Sequence, residues 1–233
     1  MSNKNVAYSN EYSTYRSKFN YVFNEKYKCN EVDKNLLSDG KHTLITTYYS
    51  DNSYEISKYN IYASRTEVID SMKNKVAEFE NINHDGNIFS VVEHSNGKNY
   101  LIFSIDLYGY SIMDLSNYHV YHYIPEESFY GHEETFIWTE AYYCKDNNII
   151  AVEGCYWACP FSTEFFDFSN PEEVPFERIY SSYEMEGEIN IESDVTPLHW
   201  NSDGTIVLRC YADDEGGQKA QKTIDIVSRI GQG

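Results

Sequence analysis

Basic residues are scarce in this sequence. It has 18 Lys and Arg against 37 Asp and Glu in 233 residues, which gives a formal net charge of −19. Nucleic-acid phosphates are bound by clustered Lys and Arg, and anionic membrane surfaces attract the same side chains. The composition therefore excludes nucleic acid and anionic membranes as partners. The excess of carboxylates aids solubility and favours a basic protein partner.

Long apolar runs are also missing. No stretch approaches the roughly 18 apolar residues of a membrane-spanning helix. Met1 is followed by polar residues rather than by the apolar segment of a signal peptide. The sequence thus predicts a cytoplasmic protein with no membrane span.

The cysteines do not form a recognisable framework. Their number, five, is odd, so we expect free and mostly buried thiols rather than disulfides. Cys155 and Cys159 have the spacing of half a zinc site, but a zinc site needs a second pair of ligands. His119, His122 and His132 are candidates, although no spacing supports them. We therefore expect no metal and no other cofactor.

Catalytic motifs are absent as well. The sequence contains no G-x-S-x-G, H-E-x-x-H, phosphate-binding loop or dinucleotide fingerprint. Consecutive carboxylates such as Glu126 and Glu127 point to opposite faces of a strand, so they do not make a catalytic pair. The sequence indicates no catalytic residue and favours a protein that is not an enzyme.

Aromatic residues are what the sequence has in abundance. Its 23 Tyr and 12 Phe favour β-sheet over helix. Four segments contain alternating or clustered apolar residues and are separated by turn signals: residues 136–144, 149–152, 163–168 and 174–181. They predict four short antiparallel strands, a meander.

The meander repeats along the chain. Asp114, Asp167 and Asp225 each follow an apolar residue and recur at intervals of roughly 50 residues. Residues 61–64 look like a degenerate copy without the aspartate. A turn signal precedes each copy and is followed by an apolar run; the clearest examples lie at Asp39, Asp146, Asn96 and Asp203. An aspartate that recurs once per unit is expected to satisfy backbone N–H groups rather than to act in catalysis.

This pattern resembles the repeats of β-propeller proteins, in which each blade is a four-stranded meander. The resemblance covers most of residues 28–230 and lacks the marks of WD40 and kelch repeats. It implies an all-β, propeller-like fold of about four blades, with a β-sandwich or an incomplete curled sheet as the alternative. Because propellers host many unrelated activities, it implies no function.

The whole chain, residues 1–233, is predicted to form one domain. Its last unit has three predicted strands, so residues 19–23 of the N-terminal segment are expected to supply the fourth and to close the ring. Residues 67–77 fit either a short helix or an outer strand.

Candidate binding residues lie in three loops. Tyr156 and Trp157 place large aromatic side chains in an irregular loop, and exposed aromatics often carry recognition. Acidic loops supply the remaining candidates: Glu133, Glu134, Asp213, Asp214 and Glu215. These residues predict a non-enzymatic protein-binding module, for example an inhibitor or immunity protein for a basic partner. A hydrolase with a carboxylate site at the propeller axis and an oligomeric scaffold are the alternatives.

Overall fold

The structure is a computed structural model that describes residues 4–51, 61–82, 88–131, 133–211 and 219–230. Within these residues the chain forms four antiparallel sheets, and an α-helix, α1 (Asn10–Ser17), precedes them. The fold is all-β and propeller-like, as the repeat predicted. No helix among the described residues is long and apolar enough to cross a membrane.

Each sheet is a meander of strands that are consecutive in sequence. Sheet 1 contains β1 (Lys28–Leu36), β2 (Thr43–Asp51), β3 (Ile61–Ile69) and β4 (Lys75–Ile82). Sheet 2 contains β5 (Phe89–Glu93), β6 (Asn99–Ile105), β7 (Gly109–Asp114) and β8 (Val120–Tyr123). Sheet 3 contains β9 (Ile137–Cys144), β10 (Ile149–Cys155), β11 (Ser162–Asp167) and β12 (Arg178–Ser181). Sheet 4 contains β13 (Thr196–Trp200), β14 (Ile206–Tyr211) and β15 (Lys219–Ile224).

The sheets pack face to face in sequence order. Sheets 1 and 2 share a buried cluster that includes Leu44 and Leu101. The Tyr110 ring of sheet 2 stacks on the Trp138 ring of sheet 3, with centroids 4.1 Å apart. Sheets 3 and 4 share a buried cluster that includes Ile149 and Leu208. The first strands β5, β9 and β13 contact one another in turn, so they form the inner side of the array, as in a propeller.

The first hairpin of every sheet contains a residue with positive φ. These residues are Gly40, Gly97, Asn148 and Gly204. Glycine and asparagine tolerate this conformation at low cost, which is why the turn signals repeat. The turn of sheet 2 lies at Asn96–Gly97, whereas the alternative at residues 84–86 falls outside the described residues.

The repeated aspartates have the structural role that was predicted. The Asp114 and Asp167 carboxylates each accept hydrogen bonds at 2.8 Å from the backbone N–H two residues later, and Asp225 accepts from the N–H of Ser228 at 3.2 Å. In sheet 1 the equivalent residue is Asp70, which follows β3 and accepts from the N–H of Asn74. The assignment of this position to residues 61–64 was wrong, because those residues begin β3 instead of ending it.

Residues 67–77 contain the hairpin between β3 and β4, so the strand alternative is confirmed and the helix alternative is wrong. Val68 is fully buried between sheets 1 and 2. Its i, i+4 spacing with Met72 is fortuitous, because Met72 is exposed in the turn.

The prediction that residues 19–23 add a strand to the last sheet was wrong. Most of this segment is a 3-10 helix, Asn20–Phe23, that buries Val22 against Tyr49 and Ile61 of sheet 1. Phe19 and Phe23 pack against the same face of sheet 1, so the segment buries its apolar side chains by covering that face. Further upstream, Asn5 forms an isolated antiparallel bridge with Pro125, just after sheet 2, and Val6 donates a backbone hydrogen bond to Ile124 at 3.0 Å.

Candidate functional site

The topology brings two of the three candidate loops to one end of the molecule. The second hairpins of sheets 2 and 3, and the described parts of the connections that follow these two sheets, lie at the end opposite the first hairpins. We call this the connection end; it includes residues 124–131, 133–136, 156–161 and 182–195. Tyr156, Trp157, Glu133 and Glu134 all lie there. Asp213, Asp214 and Glu215 fall outside the described residues, between β14 and β15.

The aromatic candidates have different environments. Tyr156 is half-buried, with its ring 5.5 Å from that of Phe136 and 6.4 Å from that of Tyr183. A turn follows, closed by a 2.9 Å hydrogen bond from the Cys159 N–H to the Tyr156 carbonyl. This turn leaves Trp157 59% exposed. Tyr156 thus anchors the loop, and Trp157 is presented to solvent.

Two of the acidic candidates, Glu133 and Glu134, have their carboxylates at the surface. Glu133 and Glu134 are exposed, and neither has an ion-pair partner within the described residues. Burial raises the pKa of the Tyr108 phenol, and the negative charge of the nearby Glu134 adds to this shift. Cys155 contributes to the same shift, so the acidic pair and the Trp157 loop flank a common neighbour.

A cavity of about 810 Å³ lies beside them, between α1, the β6–β7 turn and a π-helical turn at Glu127–Gly131. Aromatic side chains dominate its walls, including Tyr15, Tyr108, Phe129 and Tyr130. The sequence reasoning missed this cavity. Helix α1 is too short and too polar to stand out, although the Ser9 N-cap was a usable signal because its hydroxyl accepts from the Tyr12 N–H.

The floor of the cavity is formed by the largely buried carboxylate of Asp106, whose side chain is 18% exposed. Asp106 has a φ of 53°, accepts from the Tyr12 hydroxyl at 2.5 Å and forms an ion pair with Arg16. Burial raises the pKa of Asp106, and the Arg16 guanidinium is the main opposing influence. This network ties α1 to the second hairpin of sheet 2.

A second buried carboxylate lies behind the Trp157 loop. Glu164 on β11 is 1% exposed and accepts from the Ser181 hydroxyl at 3.1 Å. Burial raises its pKa to about 7, and the Arg178 guanidinium opposes the shift. Burial raises the pKa of Tyr156, and the charge of Glu164 adds to this shift. The protonation state of Glu164 is therefore coupled to the side chain that anchors the loop.

A pair of carboxylates faces sheet 4 from the inner part of sheet 3. Glu140 on β9 lies directly opposite Glu153 on β10. Burial raises the pKa of Glu153, and the negative charge of Glu140 adds to this effect. Burial raises the pKa of the neighbouring Tyr142 as well, and Glu140 contributes to that shift. The carboxylates are close in space although 13 positions separate them in sequence, which is why a search of consecutive residues missed them.

The cysteines are free thiols. Cys144 and Cys210 are buried as expected, whereas Cys159 is exposed and Cys29 and Cys155 are intermediate. Burial raises the pKa of Cys155, which disfavours the reactive thiolate. Within the described residues, which omit His132, no three His, Cys, Asp or Glu side chains lie close enough to hold a metal ion.

Comparison with known proteins assigns no family. No family model and no curated protein matches the chain. Among solved structures it is similar to a bifunctional GH43-CE protein of Bacteroides eggerthii, with 9% sequence identity and a TM-score of 0.33. The match covers 78% of this chain and 23% of that one. A similarity this weak supports no argument about activity.

Proposed function

We propose that the protein is a non-enzymatic binding module whose connection end engages a basic protein partner. The observation that carries this proposal is the presentation of Trp157 on a turn anchored by Tyr156. Tryptophan is enriched among the residues that dominate interface energies, and a fixed loop loses little entropy on binding. Glu133 and Glu134 lie at the same end and are available for Lys or Arg of the partner.

The net charge of −19 supports the choice of a basic partner. Opposite charge accelerates encounter, and rim charges act mainly on the association rate and its salt dependence. An inhibitor or immunity protein acting on a cationic protein would have these properties. Trp157 would supply contact energy and the carboxylates would supply steering.

Affinity capture from the native host, at low and high salt, tests the proposal. We expect one basic protein to bind at low salt and to be lost as salt rises. Trp157→Ala should weaken capture at least about tenfold. Met72→Ala is the matched control, because Met72 is 77% exposed but lies in a turn at the opposite end. Capture that ignores both salt and Trp157 would contradict the proposal.

Glu140 and Glu153 favour a hydrolase as the second candidate. Two close carboxylates with unequal environments are a common acid–base arrangement, and both lie near the inner side of the propeller-like array. A panel of chromogenic glycosides, esters and phosphate esters tests this alternative. Turnover that disappears in Glu153→Gln and persists in Trp157→Ala would support the hydrolase and displace the binding module.

A further inference from the structure

The cavity beside α1 has the size and chemistry of a receptor for one large side chain. Its volume of about 810 Å³ falls within the range of roughly 300–1,000 Å³ that is usual for ligand sites. Leu107, Ile124 and the aromatic walls give it a largely apolar surface. Tyr130 stands at the opening and is 48% exposed.

The floor of this cavity offers no unpaired charge. The Asp106 carboxylate is already bound by the Arg16 guanidinium and the Tyr12 hydroxyl, and it also lies 3.4 Å from the Ile82 N–H. A cation inserted there would compete with Arg16. The interior therefore suits an uncharged, largely apolar group, for which burial is favourable without a charge partner.

The surroundings of the opening are acidic. Glu133 follows the π-helical turn that forms one wall, and Glu134 lies close to Tyr108 in another. Glu11 lines the cavity from α1. Lys18 lines it as well, and the Lys4 ammonium, paired with Glu126, lies near Glu11 and Tyr130. Four carboxylates against two ammonium groups favour positively charged groups around an apolar centre.

We infer that this cavity receives an uncharged aromatic side chain of the partner, flanked in the partner's sequence by Lys or Arg. This inference rests on the proposed function and specifies how the partner is recognised. Edge-to-face contacts in the wall, such as Tyr15 with Phe129 at 5.5 Å between ring centroids, show that the site packs aromatic rings. Trp157 lies at the same end of the molecule, outside the cavity lining, and is a separate contact for the partner.

Blocked pentapeptides provide the probe. Lys-Lys-Trp-Lys-Lys should bind the full chain at least about tenfold more tightly than Lys-Lys-Ala-Lys-Lys, because only the first buries an aromatic ring. Glu-Glu-Trp-Glu-Glu should bind more weakly than the Lys-Lys-Trp-Lys-Lys peptide at low salt and approach it at high salt. Isothermal titration calorimetry at two salt concentrations measures all three.

A matched pair of helix variants locates the binding site. Thr14 is exposed and lines the cavity, so Thr14→Trp should fill the opening and reduce the affinity for the Trp peptide at least about tenfold. Ser13→Trp adds the same side chain to the same helix outside the lining, and the affinity should change by less than about twofold. Equal affinities for the two variants, or for the Trp and Ala peptides, would overturn the inference.

Methyl NMR of the wild-type chain gives an answer that does not depend on variants. The ring current of the Trp peptide should shift the methyl resonances of Ile82 and Ile124, which line the cavity. The methyls of Ile150, buried between sheets 2 and 3, should not move. Shifts confined to residues outside the cavity would also overturn the inference.

The inference and the proposed function fail separately. If a basic partner is captured in a salt-sensitive and Trp157-dependent manner, yet Thr14→Trp captures it as well as Ser13→Trp does, the binding module stands and the cavity has no part in it. If no partner is captured but the Trp peptide binds and Thr14→Trp abolishes binding, the cavity is an aromatic-binding site and the proposed function is wrong.

Discussion

The Glu164 carboxylate accepts a hydrogen bond from the Ser181 hydroxyl at 3.1 Å, across the pair of strands β11 and β12. Arg178, whose side chain is half exposed, approaches it only to 3.4 Å. One neutral donor and one distant cation do not offset the desolvation of a carboxylate that is 1% exposed. The side chain therefore holds its proton up to about neutral pH.

This arrangement predicts a pH dependence of stability. The pKa of Glu164 rises from an ordinary 4.5 to about 7 on folding. Its contribution is fully present below pH 4.5 and is lost as pH rises through about 7, at a cost of roughly 3 kcal/mol above that range. Glu164→Gln keeps the neutral shape, so the variant should be the more stable form at pH 8.

Urea unfolding of wild type and Glu164→Gln between pH 5 and pH 8 measures this difference. The two free energies of unfolding should diverge as pH rises. Glu173→Gln, at an exposed position, is the control and should run parallel to wild type. If the curve for Glu164→Gln also ran parallel to wild type, ionisation of Glu164 would not change the free energy of unfolding, and the prediction would be wrong.

The repeated aspartates should differ in importance although they have the same role. Asp114 is fully buried and accepts from the Ser116 hydroxyl and from Lys98 at 2.6 and 2.9 Å. Asp167 is exposed, and within the described residues its carboxylate accepts only from Ser169. Asp114→Ala empties a buried position and removes the shared acceptor of Ser116, Asn117 and Lys98. It should cost about 3 kcal/mol, whereas Asp167→Ala should cost about 1 kcal/mol. Equal losses in chemical denaturation would contradict this ranking.

The Arg16–Asp106 pair should show strong coupling. Arg16→Met leaves the Asp106 carboxylate buried without its cation and should destabilise the fold by about 3 kcal/mol. Asp106→Asn suits the positive φ of this position, because asparagine tolerates that region. The double variant Arg16→Met/Asp106→Asn should therefore recover at least about 1 kcal/mol relative to Arg16→Met. A double-mutant cycle by urea unfolding measures the coupling, and simple additivity would refute it.

Gly154 should not tolerate a side chain. It lies where the register of β10 and β9 shifts, and a Cβ there would be 2.1 Å from the Ile137 carbonyl oxygen. Gly154→Ala must displace backbone and should cost about 3 kcal/mol. Gly131→Ala, whose Cβ would meet only the Glu133 side chain at 3.3 Å, should cost less than about 1 kcal/mol. Thermal unfolding of both variants tests the strand pairing directly.

Local sequence signals predicted most of the sheet architecture. The strands of sheet 3 begin or end within a few residues of their predicted limits, because Asn148 and Pro171 mark turns by their own backbone preferences. In sheet 1 the repeat was wrongly located at residues 61–64, because nine residues, 52–60, separate β2 from β3. The spacing of about 50 residues therefore did not lead to the equivalent position in sheet 1, and Asp70 was missed.

The site itself was less accessible to sequence reasoning. Trp157 was found because a large aromatic residue in an irregular loop is unusual locally. Arg16 and Asp106 are 90 positions apart in sequence, and neither is unusual in its own segment. Glu164 was assigned no role within the predicted strand 163–168, because its burial beside Ser181 of β12 depends on tertiary packing.

The route of the N-terminal segment has a consequence for synthesis. If the first and last segments paired to close a ring, the edge strands of the sheets at its two ends would stay exposed until the whole chain had been synthesised. Here residues 4–27 contact sheets 1 and 2, and each later sheet packs on the one made just before it. Domains and repeats with such local contacts fold in sequence as they leave the ribosome. Sheets 1 and 2, with the N-terminal segment packed on them, can thus fold while sheet 4 is still being translated.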